Sequence, residues 1–308
     1  MPEPKPLKQI QLNPKRTIYL TAILLCVAPT GLFSQYSVLK YPVRSGYFPN
    51  YFVAINPAFA GIRSDHEVYM GNQRLLGNFS NIATYFFNFN VKISRQVHSS
   101  DPFSCLGIYA YNDVEGKYIN RSRFYALYAW HGQLTKMVRF AGGFALGGMN
   151  YSVKGTSLSG NGSAWAADAT LGFCLYGTDF YGGFSINQML NSKIQPLEEV
   201  TVLSPFLNVT GGYTHKFSDI LEFTPLVNIS YLPKQEEFLT DLLGQFLVGG
   251  RYIIAGGIYN TDKISITAGI KKIRISEGNM AVNLTYAFPR KNAGLKTSIS
   301  ELALAYQF

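Results

Sequence analysis

The chain has 308 residues, enough for one large domain or two ordinary ones, and a formal net charge of +9. Its densest basic cluster, Lys271, Lys272 and Arg274, suits a solvated strand end, so nucleic acid is not an expected partner. After residue 34 no apolar run reaches 18 residues, which excludes a membrane-spanning helix.

The N-terminus reads as an export signal. Lys8, Lys15 and Arg16 precede the apolar run 18–28, and small and polar residues follow up to Ser34 and Gln35. That run is too short for a span of about 20 residues. Residues 1–34 are therefore expected to be a signal peptide, with Gln35 as the new N-terminus. Cys26 follows Leu24 and Leu25 rather than a small residue, so it is not a lipid-acceptor cysteine. The leader holds Lys5, Lys8, Lys15 and Arg16 against Glu3, so the mature chain is less basic than the total.

Residues 35–65 form a short N-terminal segment containing "NYFVAINPAFAG" at 50–61. Pro fixes its own φ and pushes the preceding residue out of the α region, so Asn56-Pro57 marks a turn. Turns are ordinarily polar, yet Phe52, Val53, Ile55, Ala58 and Phe59 surround this one. The turn is expected at the periplasmic side or inside a barrel mouth, with Ile55 and Phe59 against the wall. Gly61 would permit a close approach.

From residue 66 onward the chain alternates. In 280–288 Met280, Val282, Leu284, Tyr286 and Phe288 oppose Ala281, Asn283, Thr285 and Ala287. In 221–231 Leu221, Phe223, Pro225, Val227, Ile229 and Tyr231 oppose Glu222, Thr224, Asn228 and Ser230. At the C-terminus Leu302, Leu304, Tyr306 and Phe308 oppose Glu301, Ala303, Ala305 and Gln307. Successive strand residues point to opposite faces, so each run has one apolar side. The runs match tilted spanning strands of about 9–11 residues, and Tyr and Phe at their ends match interfacial girdles.

Fourteen such runs are expected, at 66–73, 79–93, 103–112, 121–132, 138–152, 165–176, 179–188, 206–217, 221–232, 239–250, 251–259, 262–273, 279–288 and 298–308. An even number suits a bacterial barrel. The fold expected is all-β, a transmembrane outer-membrane β-barrel of about 14 antiparallel strands over residues 66–308. Pro225 inside a strand implies a bulge or local break. The longer connections expected are 94–102, 113–120, 153–164 and 189–205.

No catalytic, metal or cofactor constellation emerges, and the chain is not expected to be an enzyme. The histidines at 66, 98, 131 and 215 are scattered, with His131 and His215 expected at solvated rims. "GTSLSG" at 155–160 lacks GxSxG spacing. The glycine pairs 142–143, 147–148, 182–183 and 256–257 lie inside alternating runs, where relief of crowding at barrel bends is expected. Asp168 is expected to point into a wet lumen whose faces are otherwise small and neutral. Cys105 and Cys174 have no spacing that demands a disulfide.

"INPAFAG" at 55–61 resembles the "NPAYAG" opening of the PorP/SprF family of the Bacteroidota type IX secretion system, with Phe59 in place of Tyr. "YMGNQRL" at 69–75 is similar to the family's "RNQW" strand, without its Arg and Trp, and "LGIYAYNDVEGKY" at 106–118 to "GLSVVNDKIG". "ADATLGFCLYGTDFYGGFSINQML" at 167–190 resembles the family's hairpin and polar turn, and "FTPLVNISYLP" at 223–233 resembles "LKPSVLLRYVP". The resemblance covers residues 48–308. It implies an outer-membrane barrel supporting protein secretion or surface anchoring and, in gliding relatives, motility. Implied partners are a periplasmic lipoprotein ring, a peptidoglycan-binding lipoprotein, or a secreted protein with a type B C-terminal domain, besides outer-membrane lipid. The terminal strand with Leu304, Tyr306 and Phe308 resembles the barrel-assembly signal. A FadL-like transporter of small hydrophobic solutes is the alternative; it also has fourteen strands and an Asn-Pro-Ala turn, but a larger hatch.

Overall fold

The computed structural model describes residues 45–93, 100–155, 160–198, 200–259, 263–290 and 297–308. The leader, residues 35–44, His98 and residues 156–159 of the serine-glycine stretch lie outside that set. Alternation becomes strand along the rest of the chain. The first seven wall strands are β1 (His66–Leu75), β2 (Ile82–Lys92), β3 (Phe103–Glu115), β4 (Ile119–Gln133), β5 (Arg139–Val153), β6 (Gly162–Tyr176) and β7 (Phe180–Asn187). A short ribbon of β8 (Lys193–Ile194) and β9 (Thr201–Val202) then interrupts the series. β10 (Phe206–Tyr213) and β11 (His215–Ser218) are two parts of one wall strand. β12 (Leu221–Leu232), β13 (Glu237–Val248), β14 (Tyr252–Tyr259), β15 (Lys263–Ile275), β16 (Gly278–Pro289) and β17 (Ile299–Gln307) complete the wall. Neighbours pair antiparallel, β10 joins β7 to β12, and β1 joins β17. Among the described residues these strands close a fourteen-stranded barrel, which removes every lateral edge along the paired rows.

Pro225 sits where a break was expected. Its ladder with β13 runs unbroken through Pro225↔Gly244. On the other side pairing stops at Gly212↔Leu226 and resumes at His215↔Phe223. The proline has no N–H to give, so the wall strand divides there into β10 and β11. The connection expected at 113–120 is shorter: β3 and β4 stay paired up to Glu115↔Ile119. Asp113 and Glu115 fall within the range expected to be that connection. They point inward instead, where Asp113 accepts from the Thr84 hydroxyl at 2.6 Å and Glu115 pairs with Arg121.

The strands are strongly staggered. One ladder row links Gln245, Ala255, Thr267, Thr285, Glu301 and Gln73. It begins near the end of β13 and finishes near the opposite end of β1, as tilt and shear in a closed barrel require. This row faces the lumen and is mostly polar, with the Thr267 and Thr285 hydroxyls 2.8 Å apart. The outward faces are apolar: Leu146, Ile254, Ile266, Leu284, Leu302 and Leu304 are exposed, and Phe124, Tyr128, Trp130 and Tyr286 add aromatic belts.

Both ends of the wall sequence lie together. His66 and Phe308 exchange backbone hydrogen bonds of 3.2 and 3.1 Å across the seam. The opposite end carries the longer connections, including 188–205, and is therefore the extracellular one.

Candidate functional site: the lumenal plug and its dock

Residues 45–65 run through the lumen, from near the extracellular end down to the start of β1. Phe48–Tyr51 and Pro57–Phe59 form 3₁₀ turns around one α-helical turn, Phe52–Ile55. Short turns suit this stretch because Pro49 and Pro57 occupy turn starts and no run is long enough to nucleate a stable helix.

The upper end of the segment is held by Glu301. Its carboxylate accepts from the Ser45 hydroxyl at 2.7 and 2.8 Å, from the Gly46 N–H at 3.2 Å, from Tyr51 at 3.3 Å and from Asn50 at 3.4 Å. Glu301 is 2 % exposed, so these donors replace the water that a buried carboxylate loses. Asn283 donates to Asn50 Oδ1 at 3.0 Å, and Tyr47 donates to Gln245.

The middle packs by aromatic contact. The Tyr51 ring lies 4.1 Å from Phe86 and 5.4 Å from Tyr69, and Phe52 lies 5.0 Å from Tyr181. A cavity beside the plug, bordered by Tyr51, Ala54, Arg63 and Tyr109, measures ≈ 20 Å³. That is room for about one water.

The Asn56-Pro57 turn is the tightest part. Asn56 caps the following turn by accepting the Ala58 N–H at 2.9 Å. Its Nδ2 donates to Phe173 O at 3.0 Å and Phe184 O at 3.1 Å, bridging β6 and β7. Ser185 donates to Ile55 O at 2.7 Å, and the Cys174 thiol to Ala58 O at 3.4 Å. The wall here is glycine. A Cβ on Gly143 would overlap the Ala58 backbone, one on Gly172 would overlap Asn56 Oδ1, and one on Gly183 would stand 2.7 Å from the Phe59 ring. Gly143 and Gly183 were expected to relieve bends; with Gly172 they form a dock into which the turn's backbone fits. Sequence reading missed this role because the dock residues sit more than 80 positions from the turn. Gly61 holds φ at +82° with its Cα side against Cys105, as its close approach demanded.

Two further expectations are corrected. His131 is not a rim residue: it is fully buried, 2.9 Å from the Tyr176 hydroxyl and 2.8 Å from Ala60 O, and stacked on Phe103. Nor is the lumen small, neutral and wet. Arg121, Arg123, Asp168, Asp241 and Glu301 all face it and are buried. Asp168 accepts from Tyr125 at 2.5 Å and from the Ala169 N–H at 2.7 Å. Strand alternation reveals which residues face inward but not what fills the space they face. Cys105 and Cys174 are both free.

The extracellular half is closed by a second element. The connection between β7 and β10 folds inward, placing Ile194 and Leu203 against Met149 and Ala166. With its amide oriented to satisfy both partners, Gln188 donates to Ser204 O at 2.8 Å and accepts from Arg123 at 3.2 Å. Leu304, Tyr306 and Phe308 lie elsewhere, facing lipid at the seam, where Leu304 pairs with Met70 and Tyr306 with Val68.

The family model for the type IX secretion system membrane protein PorP/SprF matches residues 37–306. The chain belongs to this family. This PorP/SprF protein is accordingly a membrane protein of the type IX secretion system, located in the outer membrane. Solved structures share its fold at low identity. The CymD monoaromatic hydrocarbon channel is 11 % identical with a TM-score of 0.51, covering 86 % of this chain and 92 % of that one. The P. putida toluene transporter TodX is 10 % identical with a TM-score of 0.50, covering 86 % and 95 %. A Pseudomonas aeruginosa FadL homologue is 10 % identical with a TM-score of 0.50, covering 82 % and 92 %. No curated protein matches the chain.

Proposed function

We propose that this PorP/SprF protein supports the secretion or surface anchoring of partner proteins, and surface motility where the partner is an adhesin, as a closed barrel that binds rather than conducts. The observation that carries this reading is the filled lumen, occupied by residues 45–65 from within and by the inward connection from outside. A solute pathway needs continuous space, and the buried Glu301, Asp168 and Arg123 are engaged by the chain itself. The partners proposed are other type IX components, a periplasmic lipoprotein among them, or a secreted protein with a type B C-terminal domain.

The likeness to hydrocarbon channels keeps a second reading, transport of small hydrophobic solutes. Deleting the gene separates the two. Loss of surface display of particular secreted proteins, with toluene uptake unchanged, is the expected result. Normal display with impaired uptake of hydrophobic solutes would overturn it.

A further inference from the structure

A groove lies on the lipid side of the wall. One outward ladder row links Met70, Phe87, Ala110, Phe124, Gly148 and Ala167. Large side chains on β2 and β4 therefore flank a small one on β3. The row above it, toward the extracellular end, links Asn72, Tyr85, Asn112, Ser122, Asn150 and Trp165. Ala110 and Asn112 floor a groove of ≈ 340 Å³, walled by Tyr85, Phe87 and Phe124, with Trp165 at its upper end. That volume falls in the range of small-ligand clefts, about 300–1,000 Å³. Ser122 donates to Asn112 Oδ1 at 2.9 Å, so the Asn112 Nδ2 keeps its donors for a ligand.

Cations stand above the groove. Arg74 is the next outward residue of β1 after Asn72 and pairs with Ala83 beside Tyr85. Lys117 sits in the turn between β3 and β4, its ammonium 5.3 Å from the Tyr118 ring. Lys154 follows β5, and its N–H donates to Tyr118 O at 2.7 Å, which sets it beside the same turn. All three are exposed, and none makes an ion pair among the described residues. The acids of these strands face the lumen instead: Asp113 accepts from Thr84, Glu115 from Arg121 and Asp168 from Tyr125. The outward positive charge is thus left without a counterpart in the chain.

From the bilayer upward this face reads as an apolar groove, then uncharged amides and hydroxyls, then cations. A lipid standing in the outer leaflet has the same order: acyl chain, sugar or ester linkage, phosphate. The groove is continuous with the lipid-facing wall, so lipid is what reaches it. Trp165, 70 % exposed at the polar boundary, offers an amphipathic ring there. From β1 to β5 the cations span four strand spacings, about 19 Å. That width suits several anionic groups on one broad headgroup rather than a single phosphate. We infer that the groove and the cations above it bind a phosphorylated glycolipid of the outer leaflet. One acyl chain lies over Ala110 between Phe87 and Phe124, the sugar meets Asn112 and Ser122, and the phosphates meet Arg74, Lys117 and Lys154. The site does not depend on the escort function proposed above.

The test adds diphosphorylated lipid A to the folded barrel in mild detergent and reads binding by native mass spectrometry. The parental barrel should give a discrete one-to-one adduct. Ala110→Phe fills the groove floor, and combining Arg74→Gln, Lys117→Gln and Lys154→Gln removes the cations; each should weaken binding roughly tenfold or more. Dephosphorylated lipid A should bind the parental barrel about as weakly as lipid A binds the triple variant. Ile266→Phe, on the lipid face far from the groove, is the control and should bind as the parent does. Heat-modifiable migration should be normal for every variant, since all the substituted residues face outward or lie in exposed turns. Parental affinity in a folded Ala110→Phe barrel, or in the triple variant, would overturn the proposal. Equally tight binding of phosphatidylglycerol would also overturn it, by showing ordinary lipid contact without selection for a glycolipid.

Discussion

Asn56 shows how a single side chain can set the state of the lumen. It caps the turn behind it and bridges two wall strands through Phe173 O and Phe184 O. Replacing it with Ala would remove both carbonyl contacts and leave the buried Ala58 N–H without its acceptor, at about 1–3 kcal/mol. Gly172→Val acts on the same contact from the wall side and should cost about 1–3 kcal/mol through overpacking. Cys174 reports on both, because its thiol is buried under Ala58. In the parental barrel it should resist a small maleimide in mild detergent. In either variant it should react at least several-fold faster while the barrel remains heat-modifiable. An unchanged rate would show that the dock does not hold the turn.

Strand faces carry the next predictions. Leu284 is 59 % exposed on the lipid face, and Leu284→Arg should cost about 2–4 kcal/mol in bilayer unfolding. Its neighbour Asn283 points the other way, and a wet lumen would tolerate Arg there. It instead donates to Asn50. Asn283→Arg should therefore destabilise as well, by displacing the segment held at Glu301. Parental stability for that variant would mean that the lumen has room after all. At the seam, deleting Phe308 removes the residue that exchanges two backbone bonds with His66. Outer-membrane levels should fall, with the chain lost to periplasmic proteolysis. Normal levels would count against an assembly role for Leu304, Tyr306 and Phe308.

For the whole molecule, two closures act in series. The segment 45–65 fills the lumen from the periplasmic side up to Glu301, and the connection between β7 and β10 seals the mouth over Met149 and Ala166. Loosening one alone should leave conductance in planar bilayers near the parental level. Combining Gly172→Val with removal of the β8–β9 ribbon should open the lumen. Large conductance from the ribbon deletion alone would show that the segment is not a barrier.

The sequence by itself determined the wall. A strand's faces alternate with a two-residue period, so the fourteen runs, their outward apolar sides and the break at Pro225 follow from local chemistry. It also determined that Asn56-Pro57 turns and that Gly61 permits a close approach. Only the tertiary structure decided what those residues meet. Gly143, Gly172 and Gly183 come together with the turn because ladder register and barrel closure align residues distant in sequence. The burial of His131 and Asp168 has the same origin, since an inward side chain is wet or dry according to what the lumen contains.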